Sequence, residues 1–324
     1  MNRFIYIIAV YMFLSGLCVG QQYQYDDFNR LTNVTYTDGS QIIYTYDDLG
    51  NRIDYEVIAV KAFLDIKVML AGPYSTSAGM MNDGLRSGGY LPVIEPFTAG
   101  GFQHKGVEGG GETIANPAVV FSNKSGNSII DWIVVELRDK DSITNVLHTR
   151  SALLQRDGDV VDLDGSSLVG FFGVAADDYY VSVWHRNHLG VATAAPISVS
   201  TLATTFPINF TSGAETTYGT DARGTVGAGT MVLYAGDVNG DGKIRYADLF
   251  IPPFTFISSD ALSVFTSLSG NDQKNGYYTE DTNLDGFVRY SDLFLPPFTF
   301  ISSDALRIFN ILQGNPSGQI NKQF

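Results

Sequence analysis

Residues 237–248 read Asp-Val-Asn-Gly-Asp-Gly-Lys-Ile-Arg-Tyr-Ala-Asp, and 44 positions later residues 281–292 read Asp-Thr-Asn-Leu-Asp-Gly-Phe-Val-Arg-Tyr-Ser-Asp. Oxygen-bearing side chains fall at positions 1, 3, 5 and 12 of each dodecamer, and glycine at position 6. This is the spacing by which a twelve-residue loop wraps a calcium ion. The near-duplicates DLFIPPFTFISSDAL and DLFLPPFTFISSDAL follow the two loops, so the repeat unit extends well past the acidic stretch.

The ligand reading is residue by residue. In the first loop Asp237, Asn239 and Asp241 supply side-chain oxygens, Lys243 its backbone carbonyl at position 7, and Asp248 closes at position 12. In the second the same roles fall to Asp281, Asn283, Asp285, the carbonyl of Phe287, and Asp292. Hard oxygen donors without His or Cys select calcium over zinc, so two Ca2+ sites are expected. Arg245 and Arg289 occupy position 9, where a water would complete the shell. Ile244 and Val288, at position 8, are expected to face each other across a short β-bridge. Pro252-Pro253 and Pro296-Pro297 stop any exit helix after about one turn. Ser258-Ser259-Asp260 and Ser302-Ser303-Asp304 read as N-caps of a second helix. Its buried face would be Ala261, Leu262, Phe265 and Leu268, then Leu306, Phe309 and Leu312.

The pair resembles a type I dockerin, the module that ties secreted enzymes to cohesin scaffolds, through GDVNGDGKI and its second copy. The resemblance implies EF-hand-like calcium ligation and a cohesin-type partner. The Pro-Pro-Phe-Thr-Phe insertion departs from the long helix of that family, which puts the partner in doubt.

Upstream, Tyr23-Gln24-Tyr25-Asp26-Asp27 recurs as Tyr44-Thr45-Tyr46-Asp47-Asp48, and Asp38-Gly39 between them marks a hairpin turn. Through YDDFNRLTNVTYTDGS and YTYDDLGNR, residues 21–55 resemble the RHS/YD repeats of bacterial surface and toxin proteins. Two repeats are too few for the β-shell that long arrays build.

Between them, residues 56–212 carry short alternating or apolar runs with turn signals. Leu64, Ile66, Val68 and Leu70 alternate with polar neighbours; IIDWIVVEL suits a central strand; Asp157-Gly158 and Asn187 to Gly190 suit hairpin turns. The expected fold is mainly β, an immunoglobulin-like β-sandwich, with a small α-helical calcium-loop domain at 236–314. Residues 213–235 read as a linker and last strand, and 315–324 as a tail. KVMLAGPY, DWIVVELRD and YYVSVWHRNHLGVATAAPI resemble a module of secreted bacterial multidomain proteins.

Asn2-Arg3, the apolar run Phe4 to Leu14 and small residues to Gly20 read as a signal peptide over 1–20, cleaved near Gly20. Cys18 is the only cysteine, so the mature chain would hold no disulfide. A net charge of −14, from 34 acidic and 20 basic residues, repels phosphate backbones and argues against nucleic acid.

Other chemistry-bearing residues carry weaker patterns. Asp131, Glu136 and Asp139 offer carboxylates without a defined glycosidase separation. His185 and His188 sit at a hairpin and are read as strand-end residues. His104 and Glu108 lie in the glycine-rich stretch Gly100 to Gly111, which lacks a phosphate-loop pattern and reads as a loop. Trp132 and Trp184 read as core. The sequence therefore points to a secreted, non-enzymatic, calcium-binding protein of surface assembly, adhesion or attachment, with a protein or glycan partner. The alternative is an accessory carbohydrate-binding or polysaccharide-degrading protein with its sugar site on the sandwich.

Overall fold

The computed structural model describes residues 21–36, 40–58, 61–106, 109–199, 207–251, 255–257, 259–295, 299–301, 303–313 and 318–324. The signal peptide, the Asp38-Gly39 turn, Glu108 and both Pro-Pro pairs lie outside them. No helix among the described residues is long and apolar enough to cross a membrane. Contacts divide the chain into two compact units, Met1–Lys61 with Phe172–Ala175, and Ala62–Phe171 with Ala176–Phe324. The chain is mainly β.

The first unit holds a four-stranded antiparallel meander, β1(Gln22–Tyr25), β2(Leu31–Thr35), β3(Gln41–Tyr46) and β4(Arg52–Ile58). Its two described turns are built alike. Asp26 Oδ1 accepts from the amides of Phe28 and Arg30 at 2.9 Å, and Asp47 Oδ1 from those of Leu49 and Asn51. Three residues after each aspartate the chain turns left-handed, at Asn29 (φ 58°) and Gly50 (φ 87°), the two residue types that take this conformation most readily. The sequence repeat is thus a repeat of one turn geometry.

The second unit is organised by β5(Lys61–Lys67), the short pair β6(Tyr74–Ser75) and β7(Met80–Met81), then β8(Ile129–Asp139), β9(Ser142–Gln155), β10(Asp159–Val161), β11(Val169–Phe172), β12(Asp177–His185), β13(His188–Ala192), β14(Ile197–Val199) and β15(Pro207–Asn209). Nine of these join in one sheet of order β11-β5-β10-β9-β8-β12-β13, with β14 on β12 and β15 parallel to β5. Of the expected immunoglobulin-like sandwich the strands show the coarser part, a mainly β fold, with these nine strands hydrogen-bonded in one continuous ladder. β8 explains its central place, because ten of its eleven residues are buried, as a strand covered on both faces requires. β5 keeps the alternation read from its sequence, with Ala62, Leu64 and Ile66 buried and the residues between half-buried.

The segment read as a linker is fastened. Gly224–Val226 pairs with Thr230–Val232, and the buried Arg223 guanidinium donates to the carbonyls of Phe210, Ser212 and Glu215.

The tandem repeat folds as a closed pair within this second unit. Each copy runs loop strand, β-hairpin, helix, return strand. Lys243–Arg245 of the first copy pairs with Gln319–Asn321 at the end of the second, and Phe287–Arg289 of the second pairs with Gln273–Asn275 at the end of the first. Ile244 and Val288 therefore do not bridge each other, contrary to expectation: Ile244 faces Ile320 and Val288 faces Lys274. Each loop strand finds its partner in the return strand of the other copy, and position 8 of both instead meets in one apolar cluster with Val264, Leu268, Ile308 and Leu312. The exchange is reciprocal in the aromatics too. Tyr246 packs edge-on to Phe309 at 5.2 Å and Phe265 to Tyr290 at 5.1 Å.

The expected exit helix is a hairpin, Leu249–Ile251 with Thr255–Ile257 and Leu293–Leu295 with Thr299–Ile301. β-branched and aromatic residues on either side of the Pro-Pro sequence favour strand over helix. The capping expectation holds. Ser259 and Ser303 accept from the amides of Leu262 and Leu306 at the starts of the helices Asp260–Ser267 and Asp304–Ile311. The buried helix face keeps Ala261, Leu268 and Leu312 of the expected one, but Val264 and Ile308 take its centre, whereas Phe265 is 56% exposed.

The second loop is pressed into the sheet body by two glycines. A Cβ on Gly72 would lie 1.8 Å from the Thr282 carbonyl oxygen, and one on Gly84 would lie 2.6 Å from that of Leu284. Both obstacles are backbone, so neither can rotate away. Gly72→Ala is therefore expected to destabilise by about 3 kcal/mol or more, the upper end of overpacking costs. Gly213→Ala, which meets nothing within 4 Å, serves as the control in denaturant unfolding. Equal midpoints for the two variants would refute the close packing.

Candidate functional site

The first five positions of each acidic loop are held by their own amides. Asp237 Oδ2 accepts from Gly242 N at 3.1 Å and Asp281 Oδ2 from Gly286 N at 2.8 Å. Asn239 and Asn283 accept from the amides of Asp241 and Asp285, and these accept in turn from Lys243 and Phe287. Gly242 and Gly286 make the left-handed bend at position 6 (φ 75° and 86°). Asp237 Oδ1 is buried with no hydrogen-bond partner.

Asp248 and Asp292 are exposed, and their Oδ1 atoms accept from Ser259 N and Ser303 N at 2.8 Å. Twelve residues further on, Asp260 and Asp304 are 0% and 1% exposed and bond to the amides of the loops. Asp260 Oδ1 accepts from Val238 N at 3.0 Å and its Oδ2 from Arg245 N at 2.7 Å. Asp304 does the same with Thr282 N and Arg289 N. A hairpin stands between each loop and the buried aspartate that bonds back to it, Asp260 or Asp304. The sequence carried a signal for this, an aspartate in the first helical turn of both copies, but it was absorbed by the capping pattern.

These carboxylates crowd one another in low dielectric. Burial, with Asp241 adding repulsion, raises the Asp237 carboxyl to about 6. Burial raises Asp260 to about 7 and Asp304 to about 6, against the amide bonds that favour their charge. Asp281 is pushed well above the usual range by burial and by Asp304. Position 9 answers part of the charge: Arg245 reaches Asp241 Oδ2 at 2.5 Å, and Arg289 reaches Asp285 Oδ2 at 2.8 Å. Among the described residues, neither loop gathers three carboxylates with their ligand atoms within 4.8 Å of one another.

The second loop sits against a buried polar hub. Asp131, wholly buried, accepts from Trp132 N and the Tyr277 hydroxyl on Oδ1, and from His185 Nε2 and Arg186 Nε on Oδ2, all between 2.7 and 3.1 Å. Burial opposes both charges, but Arg186 holds the Asp131 carboxyl below its ordinary range and Asp131 holds the guanidinium charged. Arg186 also donates to the Tyr278 carbonyl and stacks on Tyr277 at 4.3 Å. Asn187 Nδ2 donates to the carbonyls of Thr279 and Asp281 at 2.7 Å.

The histidine tautomers follow. Gly72 N donates to His188 Nε2, so the His188 proton is on Nδ1, facing Asn187 Oδ1 and His185 Nδ1. His185 Nδ1 then accepts, and its Nε2 proton goes to Asp131. Burial depresses both imidazoles and keeps them neutral. The two histidines read as strand-end residues hold more than strand ends: His185 reaches Asp131 of β8 and His188 the turn at Gly72, while Asn187 between them reaches the second loop.

Above the hub lies a cleft of roughly 730 Å³ whose lining includes Phe97, Phe102, Trp184, Asn239, Tyr278 and Glu280. Trp184, expected in the core, is half-buried and stacks on Phe102 at 4.9 Å. Trp132 is fully buried, its indole donating to the Pro92 carbonyl. Of the weighed carboxylates, Asp131 is sealed in the hub, and Glu136 is buried against Arg138 and Ser182.

A family model described as RHS Repeat matches residues 22–55. Comparison with curated proteins and with solved structures finds no match. The four-stranded meander of the first unit is thus similar to an RHS repeat, and this similarity covers its repeated aspartate turns.

Proposed function

We propose that the chain is an exported, non-enzymatic surface protein whose C-terminal tandem binds two calcium ions, and that it serves in assembly, adhesion or attachment. The observation that carries the calcium reading is the pair of buried like charges repeated in each copy, Asp237 with Asp260 and Asp281 with Asp304. Buried carboxylates that face one another require either protons or a cation. The ligand set becomes Asp237, Asn239, Asp241, the Lys243 carbonyl and Asp260, and Asp281, Asn283, Asp285, the Phe287 carbonyl and Asp304. Asp248 and Asp292 hold the helix entry instead. The dockerin likeness extends to the loops. Cohesin-type docking is not proposed, because the second loop is packed under Gly72, Gly84 and the hub. The RHS similarity and the millimolar calcium available outside cells support export and surface attachment.

Calcium titrated into the chelated full chain, with melting as readout, tests the metal. No stabilisation at millimolar calcium would refute it. Arg245 and Arg289 compete with the ion for Asp241 and Asp285. Arg245→Ala with Arg289→Ala is therefore expected to tighten calcium binding by several-fold, about the 1 kcal/mol upper value of a partly exposed ion pair. Weaker binding in that variant would mean the arginines assist the site.

A second reading, a sugar-binding accessory protein, is favoured by the cleft, where Trp184, Phe102 and Tyr278 offer ring faces beside Asn239 and Glu280. A glycan array on wild type and Trp184→Ala separates the two readings: glycan signals lost in the variant would establish the second.

A further inference from the structure

Glu95, His104 and Glu112 converge beneath the cleft wall, far along the sequence from the tandem loops. One ligand atom of each lies within 4.8 Å of the others. The side chains of Glu95 and His104 are 1% and 6% exposed, and Glu112 is buried. His104 Nε2 is buried with no hydrogen-bond partner and stands 3.7 Å from Glu95 Oε2.

The surroundings orient each group toward the common centre. Glu95 Oε2 accepts from the amides of Phe97 and Thr98, and its Oε1 from Gly111 N. Glu112 accepts from Gly110 N and Ser151 N. The Thr149 hydroxyl donates to the Lys105 carbonyl at 3.2 Å, which leaves its oxygen to accept from His104 Nδ1–H at 3.0 Å. That tautomer puts a bare lone pair on Nε2, aimed at two carboxylates. A lone pair facing two anionic oxygens in a buried pocket is repulsive unless a proton or a metal cation stands between them. The glycine-rich stretch that looks featureless in sequence makes room for the ring. A Cβ on Gly109 would lie 2.8 Å from His104 Cβ, and one on Gly110 would lie 3.0 Å from its Cδ2.

We propose that Glu95, His104 and Glu112 bind one divalent transition-metal cation of the zinc class, at a site separate from the calcium loops. One imidazole with two carboxylates is a borderline ligand set that suits zinc and its neighbours better than calcium. The Thr149 hydroxyl acts as the outer partner that fixes the ring. The ion would tie Glu95 to His104 and so set the intervening turn, which carries Phe97 and Phe102 into the cleft wall. The site stands whether or not the tandem loops bind calcium.

The test uses the full chain saturated with calcium and titrated with Co2+ as a spectroscopic stand-in for zinc. The expected result is one Co2+ per chain with a visible ligand-field band, displaced by Zn2+. The band should be lost in His104→Ala and in Glu112→Gln, while Thr149→Val weakens affinity by about 10–100-fold. A wild-type melting transition in the absence of added Co2+ shows that each variant is folded. Should His104→Ala unfold, His104→Gln, which keeps the volume more nearly, replaces it. No band in the wild type, or an undiminished band in the His104 variant, would overturn the proposal.

Discussion

Replacing Asp260 and Asp304 together by asparagine is expected to abolish the rise in melting temperature that calcium produces, whereas Asp248→Asn with Asp292→Asn leaves most of it intact. At a calcium concentration 100 times the dissociation constant, each occupied site adds about 2.7 kcal/mol. Two sites add about 5 kcal/mol, on the order of 10–20 °C for a unit of this size. Asp260 and Asp304 carry this because they are buried at the mouth of each loop, one oxygen on the position 2 amide and the other on the position 9 amide. Asp248 and Asp292 are exposed and engaged with Ser259 and Ser303. If the Asp248 and Asp292 variant were the one to lose the response, the closing ligands would be those of the unbroken twelve-residue spacing.

The same carboxylates set a pH dependence whose sign is fixed. Burial first, and the charges of Asp237 and Asp241 next among the raising influences, lift Asp260 from an ordinary 3.8 to about 7; Asp304 rises to about 6. The folded chain then holds protons that the unfolded chain has released. Without calcium, the stability these groups contribute is complete below about pH 4 and is lost as pH rises through about 6 to 7. Calcium substitutes for the protons, so the stabilisation it confers should grow between pH 5 and 8. A calcium-free melting temperature that stays level over that range would contradict the buried pairing.

How far the sequence reaches is visible in which residues it names. Positions 1, 3, 5 and 6 of both loops were legible because the chain makes that part locally, the first three accepting an amide from within five residues and glycine making the bend. The return of Asp260 to the loop amides was not, because a hairpin separates the two in sequence and only the folded chain brings them together. The pairing of Ile244 with Ile320 was hidden for a similar reason. A strand's partner is chosen among all edges present, and the return strand of the other copy was not marked by any pattern. The β-rich middle was legible from alternation and turn residues. Its joining into one ladder depends on which strands meet at a distance, such as β15 beside β5. His104 was passed over because two glutamates at separations of 9 and 8 residues form no motif; the glycines that let them converge read as looseness.

Asp131→Ala is expected to be among the most destabilising single changes in the second unit, costing about 3–5 kcal/mol, since it strands a buried guanidinium. Arg186 would lose its counterion while still sealed between Tyr277 and the Tyr278 carbonyl, and Tyr277 and His185 would each lose an acceptor. Asp131→Asn is nearly isosteric yet is expected to fare little better. Either oxygen position exchanged for an amide nitrogen meets a donor, whether Tyr277 and Trp132 on one side or His185 and Arg186 on the other. Removing Arg186 as well should recover part of the loss, and the double-mutant cycle of Asp131→Ala with Arg186→Ala isolates the pair's coupling. The hub also holds the approach to the second loop, through Asn187 on the Asp281 carbonyl. Calcium affinity should therefore fall more at that loop than at the first, which meets Asn187 through the backbone bond from Gly236 N to the Asn187 carbonyl and not through its side chain. Two binding phases separating in the Asp131 variant, with the weaker one abolished by Asp281→Ala, would establish the link. Parallel weakening of both loops, or a stability loss below about 1 kcal/mol, would show that the hub packs beside the tandem without governing it.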